Sequence, residues 1–353
     1  MIDFTVAIRA YNSAKNLPQI LGRLKNQVGI EEIDWEIVIV DNNSTDNTAQ
    51  IVANYQSNWG EKFPLKYFTE TRQGCAFARK TAMEKAQGSL VGFIDDDNLP
   101  ALDWVAKAYA FSKSHPQAGA YGGQIHGEFE VEPPQNFQKI AVYLAIIERG
   151  KKAFCYNERK KKVLPPGAGT VVSKKAWLES VPENLFLTGT AGKSLALKGE
   201  DMEVFTHIQN AGWEIWYNPE MHLHHKISSA RLEQNYLLSL ARGSGLHRNH
   251  IRMIRLEPWQ RPLAFFAYLV NDSWKALFYF IKNYNLLKTD IVAACEMTLL
   301  LSILVSPFYL WKVQLYQELK VRQESHQISP VADMKGNVQE SRGKSLSLLN
   351  LSS

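Results

Sequence analysis

The first hundred residues of this chain alternate between short apolar runs and segments in which apolar residues recur with helical spacing. The apolar runs, rich in β-branched and aromatic residues, occupy residues 4–10, 35–44, 64–70 and 89–94. Helices are predicted at 14–27, from about Thr45, and at 74–88 with Gly88 as the expected C-cap. Strands that are apolar throughout must be covered on both faces, so the alternation predicts an α/β fold with a mostly parallel sheet flanked by helices.

Acidic residues stand where two of these predicted strands end. Asp41 follows the run EIVIV, and Asp95, Asp96 and Asp97 follow GFI. Ligands of parallel sheets bind beyond the carboxyl ends of the strands, where the loops converge. These four carboxylates are therefore candidate site residues.

The acidic triplet has two interpretations. Carboxylates spaced like Asp95 and Asp97 can share a divalent cation, because Mg²⁺ and Mn²⁺ prefer oxygen ligands. Alternatively, Asp97 or Asn98 caps a helix that begins at Leu99, with Pro100 in its first turn. Capping accounts for one acid rather than three, so metal binding is the favoured interpretation.

Other polar residues at predicted junctions admit a structural role as well as a functional one. Asp41 can accept hydrogen bonds from a nucleobase or ribose, although the following DNNSTDNT could simply cap a helix. Arg72 and Arg79 flank a strand-to-helix junction, where an arginine can meet a phosphate or neutralise the acids, or lie solvated at the surface.

Two later segments carry candidate groups. Asp201, in Gly-Glu-Asp at a predicted helix start, is either a general base or an acid that complements the helix dipole. His222, His224 and His225 lie in one extended stretch, and alternation places the first two on one face and His225 on the other. One of them can complete a metal shell, but not all three.

Composition and charge exclude several classes of protein. The 353 residues carry a formal charge of only +5, which is too small to indicate nucleic acid as a partner. Cys75, Cys155 and Cys295 lack any metal-binding or disulfide spacing, which favours a reducing cytosol. The N-terminus enters a strand at once, without a signal-type segment, so we expect the catalytic part to be cytoplasmic.

The C-terminal part differs in character. Residues 262–282 are aromatic and apolar, and 291–311 have the length of a bilayer-spanning helix, although this segment contains Glu296 and Pro307. After Glu318 the sequence becomes polar and Ser-rich, which predicts a disordered tail. We therefore expect an α/β domain over 1–227, a helical region over 228–318 and a tail over 319–353.

Six segments, read in order, resemble family 2 glycosyltransferases. They span from about Phe4 to His225 and read VAIRAYNSAKNLPQIL, EIVIVDNNSTDNT, GCAFARKTA, GFIDDDN, PPGAGTVVSKKAW and GEDMEVFTHIQNAGWEIWYNP. The resemblance implies the Rossmann-like GT-A fold and inverting transfer of a sugar from a nucleotide-diphospho-sugar, most simply a UDP-sugar, with Mn²⁺ or Mg²⁺ as cofactor. Within the family the chain looks most like cyanobacterial enzymes of hormogonium polysaccharide synthesis.

The resemblance also implies roles for individual residues. Tyr11, Asn12 and Asp41 would surround the nucleotide, with Asp41 on the base. Asp95 and Asp97 match the family's D-x-D pair, Asp95 on the ribose side and Asp97 on the metal, while Asp96 could share either duty. Asp201 matches the expected base. His225 matches a late histidine that helps to bind the metal or the diphosphate.

Two departures from the family pattern refine the expectation. Arg9-Ala10 stands where the family often has Pro-Thr, which puts the first nucleotide contact in question. The Q-x-x-R-W motif of processive synthases is absent after Asp201, so we expect one sugar to be transferred per binding event to a saccharide or lipid-linked acceptor. The alternatives are an inactive sugar-binding scaffold on the same fold and a nucleotidyltransferase.

The C-terminal segments and their neighbouring arginines predict membrane association. Anionic lipid headgroups suit basic residues such as Arg242, Arg248, Arg252, Arg255 and Arg261. Glu296 is costly in lipid unless it is paired, so the sequence does not establish that either segment spans the bilayer. We expect the protein at the inner face of the plasma membrane.

Overall fold

The structure, a computed structural model, describes residues 2–60, 62–158, 163–190 and 198–336. By compactness the chain divides into two units, Met1–Ser306 and Pro307–Ser353. The first unit contains the whole sheet and the helices up to the first turns of the last one. Residues 228–306, predicted as a region of their own, therefore pack within the same unit as the sheet.

The predicted alternation of strands and helices in the first hundred residues is confirmed. The elements are β1 (Phe4–Ala10), α1 (Leu17–Lys25), β2 (Trp35–Asp41), α2 (Thr48–Ser57), β3 (Leu65–Thr69), α3 (Cys75–Lys85) and β4 (Leu90–Asp95). Strand β1 lies between β2 and β4 and is parallel to both, and β3 continues the parallel arrangement beyond β2. Every residue of β2 is buried, including Glu36, which pairs with Lys66 of β3.

In this region the structure excludes the alternative that the acidic triplet caps a helix, and it shows that the predicted cap at Gly88 is wrong. Asp97 and Asn98 do not cap a helix from Leu99, because Asn98–Pro100 forms a short strand, β5, and α4 begins only at Trp104 (Trp104–Ser114). Gly88 does not cap α3, whose cap position is Ala86 in an extended conformation. Gly88 instead approaches β1 so closely that a Cβ there would stand 2.6 Å from the backbone nitrogen of Thr5.

The remaining strands make the second half of the sheet mixed. They are β6 (Ala118–Phe129), β7 (Phe154–Cys155), β8 (Thr170–Ser173) and β9 (Glu214–Ile227), with α5 (Lys174–Ser180) and α6 (Glu200–Asn210) between the last two. The sheet order is β3-β2-β1-β4-β8-β6-β9-β5, with β7 also on β9. Strand β8 is antiparallel to both β4 and β6, whereas β6 and β9 are parallel.

Four helices follow the sheet: α7 (Gln234–Leu246), α8 (Arg248–Ile254), α9 (Arg261–Asn283) and α10 (Ile291–Gly336). Leu237 and Leu240 of α7 and Val292 of α10 share a second apolar core with Phe137 and Ile140. This core joins 228–306 to the sheet. Residues 319–336, predicted to be disordered, continue α10 here, since Leu, Lys, Gln and Glu favour helix, and 337–353 lie outside the described residues.

The last two helices expose much apolar surface. In the described part of the chain, one segment, Ile291–Val313, is apolar and long enough to cross a membrane by length and composition. Helix α9 is amphipathic, yet its apolar stripe faces outward: Phe266 is 65% exposed and Trp274 is 68% exposed. Its buried polar residue, Asp272, pairs with Arg252 of α8.

Candidate functional site

A cavity of 620 Å³ opens at the carboxyl ends of β1 and β4, between the sheet and helices α6, α7 and α8. Seven of the predicted site residues line it: Tyr11, Arg79, Asp95, Asp96, Asp97, Asp201 and His225. They come from five elements and loops that are far apart in sequence. The fold therefore brings the acidic triplet, the candidate base and the candidate histidine to one place.

Asp97 meets His225 because two short elements pair. Strand β5 is antiparallel to β9, with Asn98 opposite His225. This pairing places Asp97, the residue before Asn98, next to the histidine, and Asp97 Oδ2 lies 3.1 Å from His225 Nε2. Nδ1 of the same ring lies 2.8 Å from the carbonyl of Leu144 and donates to it, so Nε2 faces Asp97 at the cavity wall.

Arg231 contacts both of these side chains. Its Nη1 contacts Asp97 Oδ2 and lies 2.8 Å from His225 Nε2, while its Nε donates to the hydroxyl of Tyr236 at 3.2 Å. Burial acts to raise the pKa of Asp97, but His225 and Arg231 outweigh it and hold that pKa well below its usual range. Asp97 is thus an ionised carboxylate already occupied by a cation.

The other two acids have their own partners. Asp95 forms an ion pair with Arg9 of β1, and Asp96 accepts from the hydroxyl of Ser13. Burial and the neighbouring Asp97 raise the pKa of Asp96, and the bond from Ser13 opposes them only in part. The three adjacent acids are therefore distinct groups.

The candidate base lies in the first turn of α6, next to a second acid. Asp201 Oδ2 accepts from the backbone N–H of Gly167 at 2.7 Å, and Oδ1 accepts from that of Met202 at 2.8 Å. Glu200 lies 3.4 Å from Nη1 of Arg9 and 3.6 Å from Nη2 of Arg79. Burial and Asp201 raise the pKa of Glu200, against the effect of the two arginines. Both acids lie where the helix dipole favours negative charge.

Arg79 is a buried cation with few partners. It is 1% exposed, its guanidinium lies 4.8 Å from the ring centroid of Phe93, and none of its three nitrogens has a hydrogen-bond partner among the described residues. Burial and the neighbouring Arg9 lower its pKa, which Glu200 partly offsets. Donors left unpaired on a cavity wall are suited to an anionic ligand.

Three predicted site residues do not line this cavity. Asp41 is buried and accepts from the Tyr67 hydroxyl at 2.6 Å and the Ser44 N–H at 2.9 Å. Asn12 accepts from the backbone of Thr45 at 2.8 Å. Arg72 pairs with Glu70 through two bonds, of 3.0 and 2.8 Å, and its side chain is 54% exposed. Their contact with a nucleotide stays a prediction.

Sequence reasoning missed six charged residues of the cavity: Arg9, Lys198, Glu200, Arg231, Arg248 and Arg255. The sequence showed Arg9 as a departure from the family pattern. In the structure Arg9 forms ion pairs with Asp95 and Glu200 at the cavity. Glu200 adjoins Asp201 in sequence. Nothing in the sequence around Arg231 indicates that it reaches Asp97.

The donor set at Asp97 fits a divalent cation that the substrate helps to hold. Among the described residues no group of three or more His, Cys, Asp or Glu side chains is arranged to hold a metal ion. Asp97 and His225 would supply two ligands, and magnesium-type sites commonly take one or two protein ligands together with substrate phosphates. The bond from His225 Nδ1 to Leu144 orients the ring as metal-binding histidines are oriented.

Comparison with known proteins gives a consistent result. The model of a family described as glycosyl transferase family 2 matches residues 5–180. The poly(ribitol-phosphate) beta-N-acetylglucosaminyltransferase TarS of Staphylococcus aureus is 31% identical over 115 residues, 33% of this chain and 20% of that protein. The putative teichuronic acid biosynthesis glycosyltransferase TuaG of Bacillus subtilis is 36% identical over 89 residues, 25% of this chain and 34% of that protein. The chain thus spans a fifth to a third of these relatives.

A solved structure supports the fold over a longer range. The mannosyltransferase PcManGT from Pyrobaculum calidifontis, in complex with GDP-Man and Mn²⁺, is 20% identical to this chain. The match covers 88% of this chain and 87% of that one, with a TM-score of 0.55. The predicted GT-A fold class is confirmed.

Proposed function

The chain belongs to glycosyltransferase family 2, and we propose that it transfers one sugar from a nucleotide-diphospho-sugar to an acceptor hydroxyl with inversion at the anomeric carbon. One observation carries the proposal: the acids at the end of β4 and the acid at the start of α6 line a single cavity. The first group is suited to a donor diphosphate and its cation, and the second to an acceptor hydroxyl.

The donor diphosphate lies, in this proposal, between the end of β4 and the two buried arginines. Arg9 and Arg79 both approach Glu200, and Arg79 keeps unpaired donors directed at the cavity. Guanidinium groups bind phosphate oxygens through paired hydrogen bonds, so these arginines can orient the diphosphate. Asp95 is assigned to the ribose side and Asp97 to the diphosphate side. A UDP-sugar is the proposed donor, since the relative TarS is named for transfer of N-acetylglucosamine, although PcManGT was solved with GDP-Man.

A divalent cation, Mn²⁺ or Mg²⁺, would be held by Asp97 and His225. When bound, it supplies positive charge that stabilises the departing diphosphate. For this cation to bind, the Arg231 guanidinium must move away from Asp97. The Arg231 side chain is long and is hydrogen-bonded to Tyr236, so it would remain beside the same phosphates. The solved relative PcManGT contains Mn²⁺, which supports this assignment.

Asp201 takes the proton of the acceptor hydroxyl. Each of its oxygens accepts one backbone N–H, and each keeps a second lone pair for the incoming hydroxyl. The two backbone bonds fix the carboxylate in place. As the hydroxyl attacks from the Asp201 side, the bond to the diphosphate breaks on the opposite side, and the anomeric configuration inverts.

The first experiment is a donor screen on the purified protein. UDP-, GDP- and dTDP-sugars are tested with and without Mn²⁺ for thermal stabilisation and for release of nucleoside diphosphate. We expect one nucleotide class to stabilise the protein and to be hydrolysed slowly without acceptor. Nuclear magnetic resonance of the product then reports its anomeric configuration, and a retained configuration would contradict the proposed displacement.

The same screen separates the alternatives. A sugar-binding scaffold would be stabilised by a donor without releasing nucleoside diphosphate. A nucleotidyltransferase would consume a nucleoside triphosphate and a sugar phosphate and release inorganic diphosphate. The described cavity lacks a Gly-rich phosphate loop after β1, where RAYNSAKN contains no glycine, which favours the transferase.

We further propose that the protein works at the cytoplasmic face of the plasma membrane in polysaccharide or glycoconjugate synthesis, with helix α9 lying in the lipid interface. The exposed stripe of α9 repeats every three or four residues through Leu263, Phe266, Val270, Trp274, Leu277 and Ile281. A helix whose apolar side faces outward while its buried side carries an ion pair is suited to a lipid surface. Lys275 and Lys282 on the same helix suit anionic headgroups.

Vesicle flotation tests this attachment. The double variant Phe266→Ser and Trp274→Ser should lose binding to vesicles that contain anionic lipid, because two large apolar anchors are removed. Leu178→Ser is the matched control, since Leu178 of α5 is 71% exposed but lies outside the stripe. Equal flotation of both variants would show that α9 is not the attachment site.

A further inference from the structure

The cavity has a second charged end, formed by helices rather than by the sheet. Beyond Asp201 its wall contains Lys198, Arg248 and Arg255 together with the apolar Leu240, Ile251 and Leu299. The proposed donor and metal site uses none of these residues. They connect to the candidate base through Gly199, whose φ of +109° turns the chain into α6 and against which the ring of His247 packs. Arg248 is the next residue.

Neighbouring arginines differ in what they contact. Arg252 of α8 is matched by Asp272 of α9, with one bond of 3.1 Å and a second closer contact. Arg231 and Arg9 are matched by Asp97 and Asp95. By contrast, neither Arg248 nor Arg255 forms an ion pair or a side-chain hydrogen bond within residues 2–60, 62–158, 163–190 and 198–313, where side chains are described, and Arg255 Nε is buried without a partner.

These cations also repel one another. Burial and the nearby Arg248 lower the pKa of Arg255, and burial lowers the pKa of Lys198, with Arg231 adding to the effect and Asp201 opposing it. Lys198 Nζ donates to the carbonyl of Tyr143 at 3.0 Å and has no carboxylate hydrogen bond among the described residues. Cations that share a cavity wall without a directly bonded carboxylate are costly unless an anion binds there.

Resting on the proposed function, we propose that Arg248, Arg255 and Lys198 form an acceptor-side subsite that holds the phosphate group of a phosphorylated acceptor. The position suits an acceptor, because Lys198 lies three residues before Asp201 and the subsite is continuous with the base. Leu240, Ile251 and Leu299 beside the arginines favour a phosphate that carries an apolar chain, such as that of a membrane lipid. A phosphate within a soluble polymer offers the same charged group.

Calorimetric titration of the full chain, saturated with UDP and Mn²⁺ so that the donor site is filled, tests the subsite. The probes are octyl phosphate, glycerol 3-phosphate and the uncharged octyl glucoside. We expect both phosphates to bind and octyl glucoside to bind at least about tenfold more weakly than octyl phosphate, as a charge-assisted contact is lost. Tighter binding of octyl phosphate than of glycerol 3-phosphate identifies a lipid-linked acceptor, and the reverse identifies a soluble one.

Arg248→Gln and Arg255→Gln should each weaken octyl phosphate binding about tenfold, and the Lys variants should recover part of the loss. Arg242→Gln, on the exposed side of α7, is the matched control. UDP affinity and melting temperature, measured on the same preparations, show whether each variant is folded and whether the donor site exists. Phosphate binding that is absent, or that is unchanged in the double variant Arg248→Gln/Arg255→Gln, overturns the subsite. Failure of UDP to bind would instead count against the proposed function.

Discussion

The two charged walls of the cavity differ in how their charges are matched. On the sheet side each acid has a partner: Asp95 has Arg9, Asp96 has Ser13, and Asp97 has Arg231 and His225. On the helical side Arg248 and Arg255 form no ion pair with a carboxylate among the described residues. The protein itself supplies the partners of the acids on the first wall, so a metal ion bound at Asp97 would have to displace a protein cation. The second is ready for an anion.

The physical cause of the difference is topology. Strand-end acids lie where β1, β5 and β9 converge, so cations from those elements and the following loop reach them. Helix α8 and the residue that follows it contribute three arginines within eight residues, Arg248, Arg252 and Arg255, and Asp272 of the neighbouring α9 pairs with Arg252. The charges on α8 therefore exceed the acids within reach. The following predictions test this contrast, the largest effect first.

The largest effect is expected at the acid that stands between the two walls. Asp201→Asn should lower the rate of sugar transfer about 1,000-fold, because an amide cannot take the proton of the acceptor hydroxyl. Donor affinity should change little, since the amide keeps an oxygen for the N–H of Gly167. The measurement is the initial rate of sugar transfer with the best donor of the screen. The control variant is Asp34→Asn, which changes an exposed acid. Transfer at a near wild-type rate would remove Asp201 from the role of base.

The next effect separates two adjacent acids on the sheet wall. Asp97→Asn should weaken Mn²⁺ binding about 100-fold, measured by electron paramagnetic resonance of free Mn²⁺, because it removes a charged ligand beside His225. Asp96→Asn should weaken Mn²⁺ binding less, since Asp96 already accepts a hydrogen bond from Ser13. An equal loss in both variants would contradict the assignment of the metal to Asp97.

A pH effect on stability is expected on the helical wall. Burial and the neighbouring Arg248 lower the pKa of His247 from 6.5 to about 4, while Asp201 opposes them and Lys198 adds to them. The unfolded chain therefore binds this proton more readily than the folded one, and stability falls as the pH falls from 6.5 toward 4. We expect a loss of about 3 kcal/mol from this group between pH 7 and pH 4.

Urea unfolding between pH 7 and pH 4 measures this loss. His247→Asn should be less stable than wild type at pH 7, because the ring packs against Gly199, but its stability should fall less steeply with pH. Identical slopes for the two proteins would show that His247 is not the group that titrates.

The smallest effect concerns the exchange of cations at Asp97. Arg231→Gln should tighten binding of Mn²⁺ alone about tenfold, because the carboxylate then no longer has to release a guanidinium. The same variant should bind UDP more weakly in the presence of Mn²⁺, since Arg231 lies beside the proposed phosphate position. Arg242→Gln serves again as the control. Weaker binding of Mn²⁺ to Arg231→Gln would show that Arg231 supports the metal rather than competing with it.

Much of the fold was predictable from the sequence because the signals are local. Unbroken apolar runs gave β1 to β4, and helical spacing after Gly199 gave α6 (Glu200–Asn210). The alternative that Asp97 or Asn98 caps a helix is wrong, because the three residues after the triplet pair with β9, which is far away in the chain. The predicted cap at Gly88 failed because the glycine serves a close approach to β1. Both errors come from long-range contacts.

The class of fold, the strand ends at which the acids lie and the resemblance to the family can all be read from the amino-acid sequence. Those properties follow from apolar periodicity and from residues close together in the chain. Three other features require the folded structure: the contact of Arg231 with Asp97 and His225, the hydrogen bond of Tyr67 to Asp41, and the placement of Arg248 and Arg255 at the cavity while Arg252 is paired. Each of these contacts joins polar or charged side chains from elements that are far apart in the chain. A local sequence pattern does not specify which distant side chains will lie next to each other.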